Sequence, residues 1–180
     1  MVKPAPLRAA REHRAWEVLG RVADPEIPAV SVCELGIVRD VLEAEDGALQ
    51  VVLTPTYSGC PATEVIEQDV RRALLDAGLG PVRTELRRAP AWSTDWISED
   101  GRRKLREYGI APPAATCHAT AQASTAGAQP VMVLRRDAAP SCPRCGSAHT
   151  AQLAGFGSTP CKALWRCLDC AEPFDYFKPF

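Results

Sequence analysis

The residues of this chain best suited to chemistry lie near its end. Two C-x2-C pairs, Cys142-Pro143-Arg144-Cys145 and Cys167-Leu168-Asp169-Cys170, are separated by residues 146–166. That spacing lets two thiolates from each tight turn converge on one ion, the tetrahedral four-sulfur set that zinc prefers. Gly146 relaxes the backbone where the first turn must curl. Cys161 lies between the pairs and is spare in a zinc site. A cluster that recruits it is the open alternative, because thiolates also ligate iron–sulfur centres. A module of residues 141–180 is too short to bury a self-sufficient core, so bound metal is expected to supply most of its stability.

The second candidate is Cys60, in the loop Thr54-Pro55-Thr56-Tyr57-Ser58-Gly59-Cys60-Pro61. With Pro61 as the first residue of a helix, Cys60 is expected at the N-cap, where free N–H groups and the helix dipole favour a thiolate. Thr54, Thr56 and Ser58 can donate hydrogen bonds to that sulfur or to a ligand. Metal ligand, cluster ligand, nucleophile and inert cap all stay open on local grounds. A catalytic Cys–His pair lacks its base nearby, since the histidines are His13, His118 and His149. The local reading of Asp24 and Glu26, flanking Pro25, is helix termination and a solvated turn.

The elements that must position these groups follow from periodicity. Leu7 to Val22 reads as an amphipathic helix stopped by Asp24-Pro25-Glu26-Ile27-Pro28. Leu35 to Glu43 and Ala48 to Thr54 read as a hairpin about Asp46-Gly47. A helix from Pro61 to about Ala77 carries the stripe Val65, Ile66, Val70, Ala73 and Leu74, ended by Gly78. Residues 82–88 make a third strand. The order α-β-β-α-β predicts an α/β (α+β) fold, a small sheet covered by two helices. Trp92, Trp96 and Ile97 are expected to cover a core edge, and Glu99 to Tyr108 to form a short charged helix. Domain bounds are expected at 7–110, 111–140 (a flexible, charge-poor linker holding Cys117-His118) and 141–180. Val131-Met132-Val133 reads as a short strand.

Composition narrows the class. Of the chain's residues, 46% are hydrophobic and 24% charged, at a formal net charge of −1, which gives no general attraction to nucleic acid or anionic membrane. Arg144, Lys162, Arg166 and Lys178 are balanced by Asp169, Glu172 and Asp175, so the cysteine module has no basic stripe for phosphates. No apolar run reaches transmembrane length and no secretory pattern opens the chain. A reducing, cytoplasmic setting is therefore expected, where eight cysteines suggest metal or thiol chemistry before disulfides.

Three motifs then carry a resemblance. Asp24-Pro25-Glu26-Ile27-Pro28, Glu34-Leu35-Gly36-Ile37-Val38, and Thr54-Pro55-Thr56 with Gly59-Cys60-Pro61 resemble the iron–sulfur assembly domain of SufT and the eukaryotic cytosolic cluster-targeting proteins, over about residues 10–90. With Cys142-Pro143-Arg144-Cys145-Gly146-Ser147, Phe156-Gly157-Ser158-Thr159, Cys161-Lys162-Ala163-Leu164 and Glu172-Pro173-Phe174-Asp175-Tyr176-Phe177-Lys178, the whole chain resembles the PaaD (PaaJ) family. Those proteins accompany the phenylacetyl-CoA 1,2-epoxidase system of phenylacetate catabolism. The resemblance implies a non-catalytic maturation factor for the iron–sulfur centre of the reductase or the di-iron centre of the oxygenase. A structural subunit of the oxygenase, and a thiol enzyme using Cys60, are the alternatives. It places the reactive cysteine on Cys60 and the acidic loop on Asp24 and Glu26, with Thr56 lining the same site. Its implied cofactors are structural zinc and a transient or bound iron–sulfur cluster. Its implied partners are the reductase and oxygenase subunits, with a homodimer left open. The family's tail often has one more cysteine where this chain has Pro179-Phe180, which removes that position as a ligand. Protein purified without oxygen should carry about one zinc per chain, no acid-labile sulfide and no visible absorption. Iron with matching sulfide and a brown colour would instead put a cluster in the cysteine module.

Overall fold

A computed structural model describes residues 5–57, 59–113 and 139–179. Helix α1 (Ala5–Leu19) buries Ala15 and Leu19 and ends at Gly20. Strand β1 (Val38–Glu43) pairs antiparallel with β2 (Leu49–Leu53), closing the hairpin at Gly47, and α2 (Thr63–Asp76) returns the chain so that β3 (Val82–Leu86) lies parallel to β2. The sheet order is β1-β2-β3. Ile66, Val70 and Leu74 of α2 face this sheet, whereas Val65, expected in the stripe, is 44% exposed.

Two boundaries differ from expectation for local reasons. The first strand starts at Val38 instead of Leu35, because residues 33–37 turn back on themselves. Gly36 has φ +67°, and a Cβ there would stand 2.6 Å from Trp96 Cβ, so only glycine fits. The second helix starts at Thr63, not Pro61: residues 60–62 form a turn in which Thr63 N–H donates to Cys60 C=O at 3.2 Å. Helix α3 (Glu99–Tyr108) has the expected bounds, with Ser98 as N-cap and Gly109 in the left-handed conformation after it.

Immediately beyond α3 the chain forms a short strand, and residues 114–138 of the expected linker lie outside the described residues. Strand β4 (Ile110–Ala111) pairs parallel with the last strand, joining a second sheet ordered β4-β7-β6-β5 from β5 (Thr150–Ala154), β6 (Lys162–Cys167) and β7 (Pro173–Phe177). The cysteine module is thereby stitched to the first domain. Phe177, 1% exposed, packs with Trp92 at a ring separation of 5.7 Å, and Cys161 joins the same buried cluster as Leu19, Val51 and Ile66. Trp92 is fixed in turn by its indole N–H, which donates to Leu35 C=O at 3.0 Å. The expected strand at residues 131–133, and Cys117-His118, lie outside the described residues. No helix among the described residues is long and apolar enough to cross a membrane.

Since Phe177 belongs to the last strand yet fills the first core, Phe177→Ala should destabilise the whole chain. The expected loss is about 3–5 kcal/mol, measured by urea unfolding. A change confined to the cysteine module would contradict this packing.

Candidate functional site

Two sites emerge, one at each end of β6. At the far end, Cys142, Cys145, Cys167 and Cys170 bring their sulfurs within 4.8 Å of one another. Cys142 Sγ lies 3.8 Å from Cys170 Sγ and Cys145 Sγ 3.5 Å from Cys167 Sγ. Both turns are built for this. Gly146 takes φ +77° and donates its N–H to Cys142 C=O at 2.9 Å. His149 Nδ1 and the Ser147 hydroxyl both bond Asp169, tying one turn to the other. The backbone N–H groups of Cys170 and Asp169 hold the Cys167 thiol down to about 6, so that a thiolate is present at neutral pH. The four thiols form a metal-binding group. A single ion with metal–sulfur bonds of about 2.3 Å gives a tetrahedron with edges of about 3.8 Å, close to the two separations found.

Cys161, expected as an additional ligand of this group, is not among the four. The physical reason is strand geometry: at about 3.4 Å per residue, β6 carries Cys167 about 20 Å away from Cys161. Cys161 faces the first domain instead, where it lines a small cavity with Asp24, Glu26, Thr56, Cys60 and Thr63 over an apolar floor that includes Ile66 and Phe177. The cavity has about 20 Å³ of free volume, room for about one water-sized sphere.

Each wall of this cavity has a local cause. The prolines of Asp24-Pro25-Glu26-Ile27-Pro28 bar helix, and Asp24 Oδ1 closes the turn by accepting N–H bonds from Glu26 at 2.9 Å and Ile27 at 2.8 Å. A bridge between Ala23 and Ser31 shuts the loop behind it, so Asp24 is buried and Glu26 points at Cys161, Sγ to Oε2 3.9 Å. The loop after β2 delivers Thr56, Tyr57 and Cys60, with Cys60 N–H bonded to Tyr57 C=O at 3.2 Å. Cys161 is set by Lys178 N–H, which donates to its carbonyl at 3.0 Å, and its sulfur lies 3.0 Å from Thr159 Oγ1. Lys162, buried beside it, brings positive charge to the site. Its Nζ is 3.7 Å from Asp175 Oδ2 and it lowers the pKa of both Asp24 and Glu26.

Desolvation dominates the electrostatics. Burial pushes the Asp24 and Glu26 carboxyls up, and the negative charge of Asp24 pushes Glu26 further. Burial likewise raises the Cys60 and Cys161 thiols, and Glu26 adds to both. The expected N-cap thiolate at Cys60 is therefore corrected. Cys60 sits before the cap position, and the N–H of Ala62 and the Thr63 side chain only partly offset desolvation. Tyr57, missed in the sequence, is pushed up to about 12 by burial and then by Cys60, Glu26 and Cys161; its hydroxyl is buried without a hydrogen-bond partner among the described residues. Cys33 is also pushed to about 12 by burial, as a thiol packed against the core. Only the spare count of cysteines hinted that Cys161 belonged elsewhere than the four-sulfur group.

Comparison with known proteins follows the same division. Residues 12–85 match the iron-sulfur cluster assembly protein family, and residues 126–178 match the PaaD zinc beta ribbon domain. The chain is 44% identical over 179 residues, 99% of each chain, to an Escherichia coli protein described as a subunit of a "Putative 1,2-phenylacetyl-CoA epoxidase". It is 37% identical over 95 residues, 52% of this chain and 90% of the other, to an Fe-S protein maturation auxiliary factor of Porphyromonas gingivalis. Among solved structures, a domain of unknown function DUF59 from Bacillus anthracis superposes with TM-score 0.53 at 28% identity, covering 57% of this chain and 97% of that one. The first sheet with its helices thus has the iron–sulfur assembly fold.

With its thiol raised above the ordinary range, Cys60 is mostly protonated at neutral pH. Its alkylation by iodoacetamide, followed by peptide mass spectrometry, should keep accelerating past pH of about 8.5, where a free cysteine is half ionised. A rate that levels off below that pH would contradict the desolvated site.

Proposed function

The chain belongs to the PaaD family, and from that premise we propose that it is an accessory maturation factor of a phenylacetyl-CoA epoxidase system. Its task is to help install the iron–sulfur or di-iron centre of a partner reductase or oxygenase subunit. The observation that carries this reading is the cavity at Cys60, where a thiol and two carboxyls from the first domain converge on ion-sized space. No histidine among the described residues lines that cavity, so its walls hold no Cys–His pair of the kind that activates a nucleophilic thiol.

In this reading iron is cargo. Cys60 gives up its proton as it takes the metal, Asp24 and Glu26 supply compensating negative charge, and the Thr56 hydroxyl lines the same wall. Because burial favours the protonated form of every acid in the cavity, protons compete with metal for the site. That competition suits transient holding followed by release. The four-cysteine group plays a different part. Its sulfur separations suit one ion better than a cluster, which inserts several irons and sulfides between the thiolates. We assign it zinc, held by Cys142, Cys145, Cys167 and Cys170, with a structural role that keeps the module shaped for docking to the client. A cytoplasmic location fits a reduced set of thiols.

Replacement of Cys60 by serine should abolish cofactor insertion in the client while leaving the fold and the zinc in place. Iron and sulfide would be measured in the reductase and oxygenase subunits co-produced with each form. Full cofactor content beside Cys60→Ser would sink the proposal.

A further inference from the structure

We propose that Cys161 is the second thiol of the Cys60 site, so that the two domains jointly build a two-sulfur, carboxylate-flanked pocket for a single divalent transition-metal ion. This rests on the reading of Cys60 as the iron-handling residue and adds to it a ligand from the cysteine module. Four observations converge. Cys161 is 3% exposed and turned away from the four-cysteine group, so its burial serves neither solvent contact nor that metal. Its sulfur and Cys60 line one cavity, and each feels the charge of Glu26. Glu26 Oε2 approaches Cys161 Sγ to 3.9 Å, so a carboxylate already stands beside the sulfur. The cavity's 20 Å³ admits about one water-sized sphere, which suits a single ion.

The charge balance supports the same assignment. Thiolates select soft or borderline metals, so ferrous iron and its neighbours in the first row are accepted ahead of magnesium or calcium. Uptake is ligand exchange without redox change: the Cys60 and Cys161 S–H bonds break, two metal–sulfur bonds form, and two protons leave. Two positive charges replace two protons, so the net charge of a desolvated pocket beside Lys162 is unchanged. With Cys60 alone only one proton would leave per divalent ion, and the second positive charge would have to be met by ionising Asp24 or Glu26, whose carboxyls burial holds toward the protonated form.

The test uses the full chain, purified without oxygen and first loaded with one equivalent of zinc, then titrated with cobalt(II). The wild type should bind one cobalt beyond the zinc, with thiolate-to-cobalt charge-transfer absorption and release of two protons per ion. Cys161→Ser and Cys60→Ser should each show about half that absorption and release one proton, since each leaves one thiolate. The double variant should show neither, while zinc content and circular dichroism report that every variant folds. Cys161→Ala serves as a second replacement that cannot ligate through oxygen. If Cys161→Ser and Cys161→Ala match the wild type, or if the double variant keeps the band, the inference fails. Loss of the band in Cys60→Ser alone would overturn the role of Cys161 while leaving the maturation reading intact. That reading falls separately, by the client's cofactor content.

Discussion

The seam between the two sheets is the constraint on which the rest of the molecule depends. Phe177 and Cys161 come from the cysteine module but are buried in the core of the assembly domain, against Trp92 and the residues around it. The short strand Ile110–Ala111 pins the seam by pairing with Asp175 and Tyr176. Backbone pairing fixes the register, and apolar burial supplies the energy, on the order of 2–3 kcal/mol for a side chain the size of Phe177. The site at Cys60 sits on this seam, with one wall from each domain. The burial of its acids, and hence their preference for the protonated form, follows from the fit of those walls.

That burial, which favours the protonated form, explains how acidic groups can crowd together without a matching set of cations. Asp24 keeps its place because two backbone N–H groups feed its Oδ1, and Lys162 supplies nearby positive charge. Lys162 is itself anchored by Asp175, which also accepts from Ser158 at 2.9 Å and lies so close to Gly157 that a Cβ there would collide with it. The chemistry of the pocket therefore extends outward into the loop 155–160, which includes the motif Phe156-Gly157-Ser158-Thr159.

The fold was legible where periodicity and turn chemistry agree. The α-β-β-α-β order, the turn at Gly47, the stop at Gly78 and the whole of Glu99–Tyr108 could be read from residue patterns alone. So could the four-sulfur set, because C-x2-C spacing dictates local geometry. The misplaced boundaries were tertiary in origin. Leu35 has a strand-like neighbourhood, yet Trp96 packed over Gly36 forces a turn. Pro61 is a favourable first residue for a helix, yet residues 60–62 are held in a turn beside the buried cavity. Cys161 was the most consequential difference, since its place between the two pairs left it spare or a further ligand there, and only the β6–β7 register sends it across the seam. Nothing local in the residues around Ile110 announces that they complete a second sheet.

One consequence of that register links the four-cysteine group to the cavity. Cys161 immediately precedes β6 and Cys167 ends it, so the strand's start lies at the cavity and its finish in the four-cysteine group. Strand β6 is paired on both sides, with β5 and β7, and so behaves as a stiff rod about 20 Å long. A metal in the four-sulfur group fixes the far end of that rod and the turns flanking it. Without that ion, the far end is held by Ser147, His149 and Asp169 and by strand pairing, and these exposed polar contacts are individually weak. The ion at one end therefore helps define where Cys161 stands at the other. A metal in the four-sulfur group would therefore also help set the geometry of the cavity at the other end of the strand.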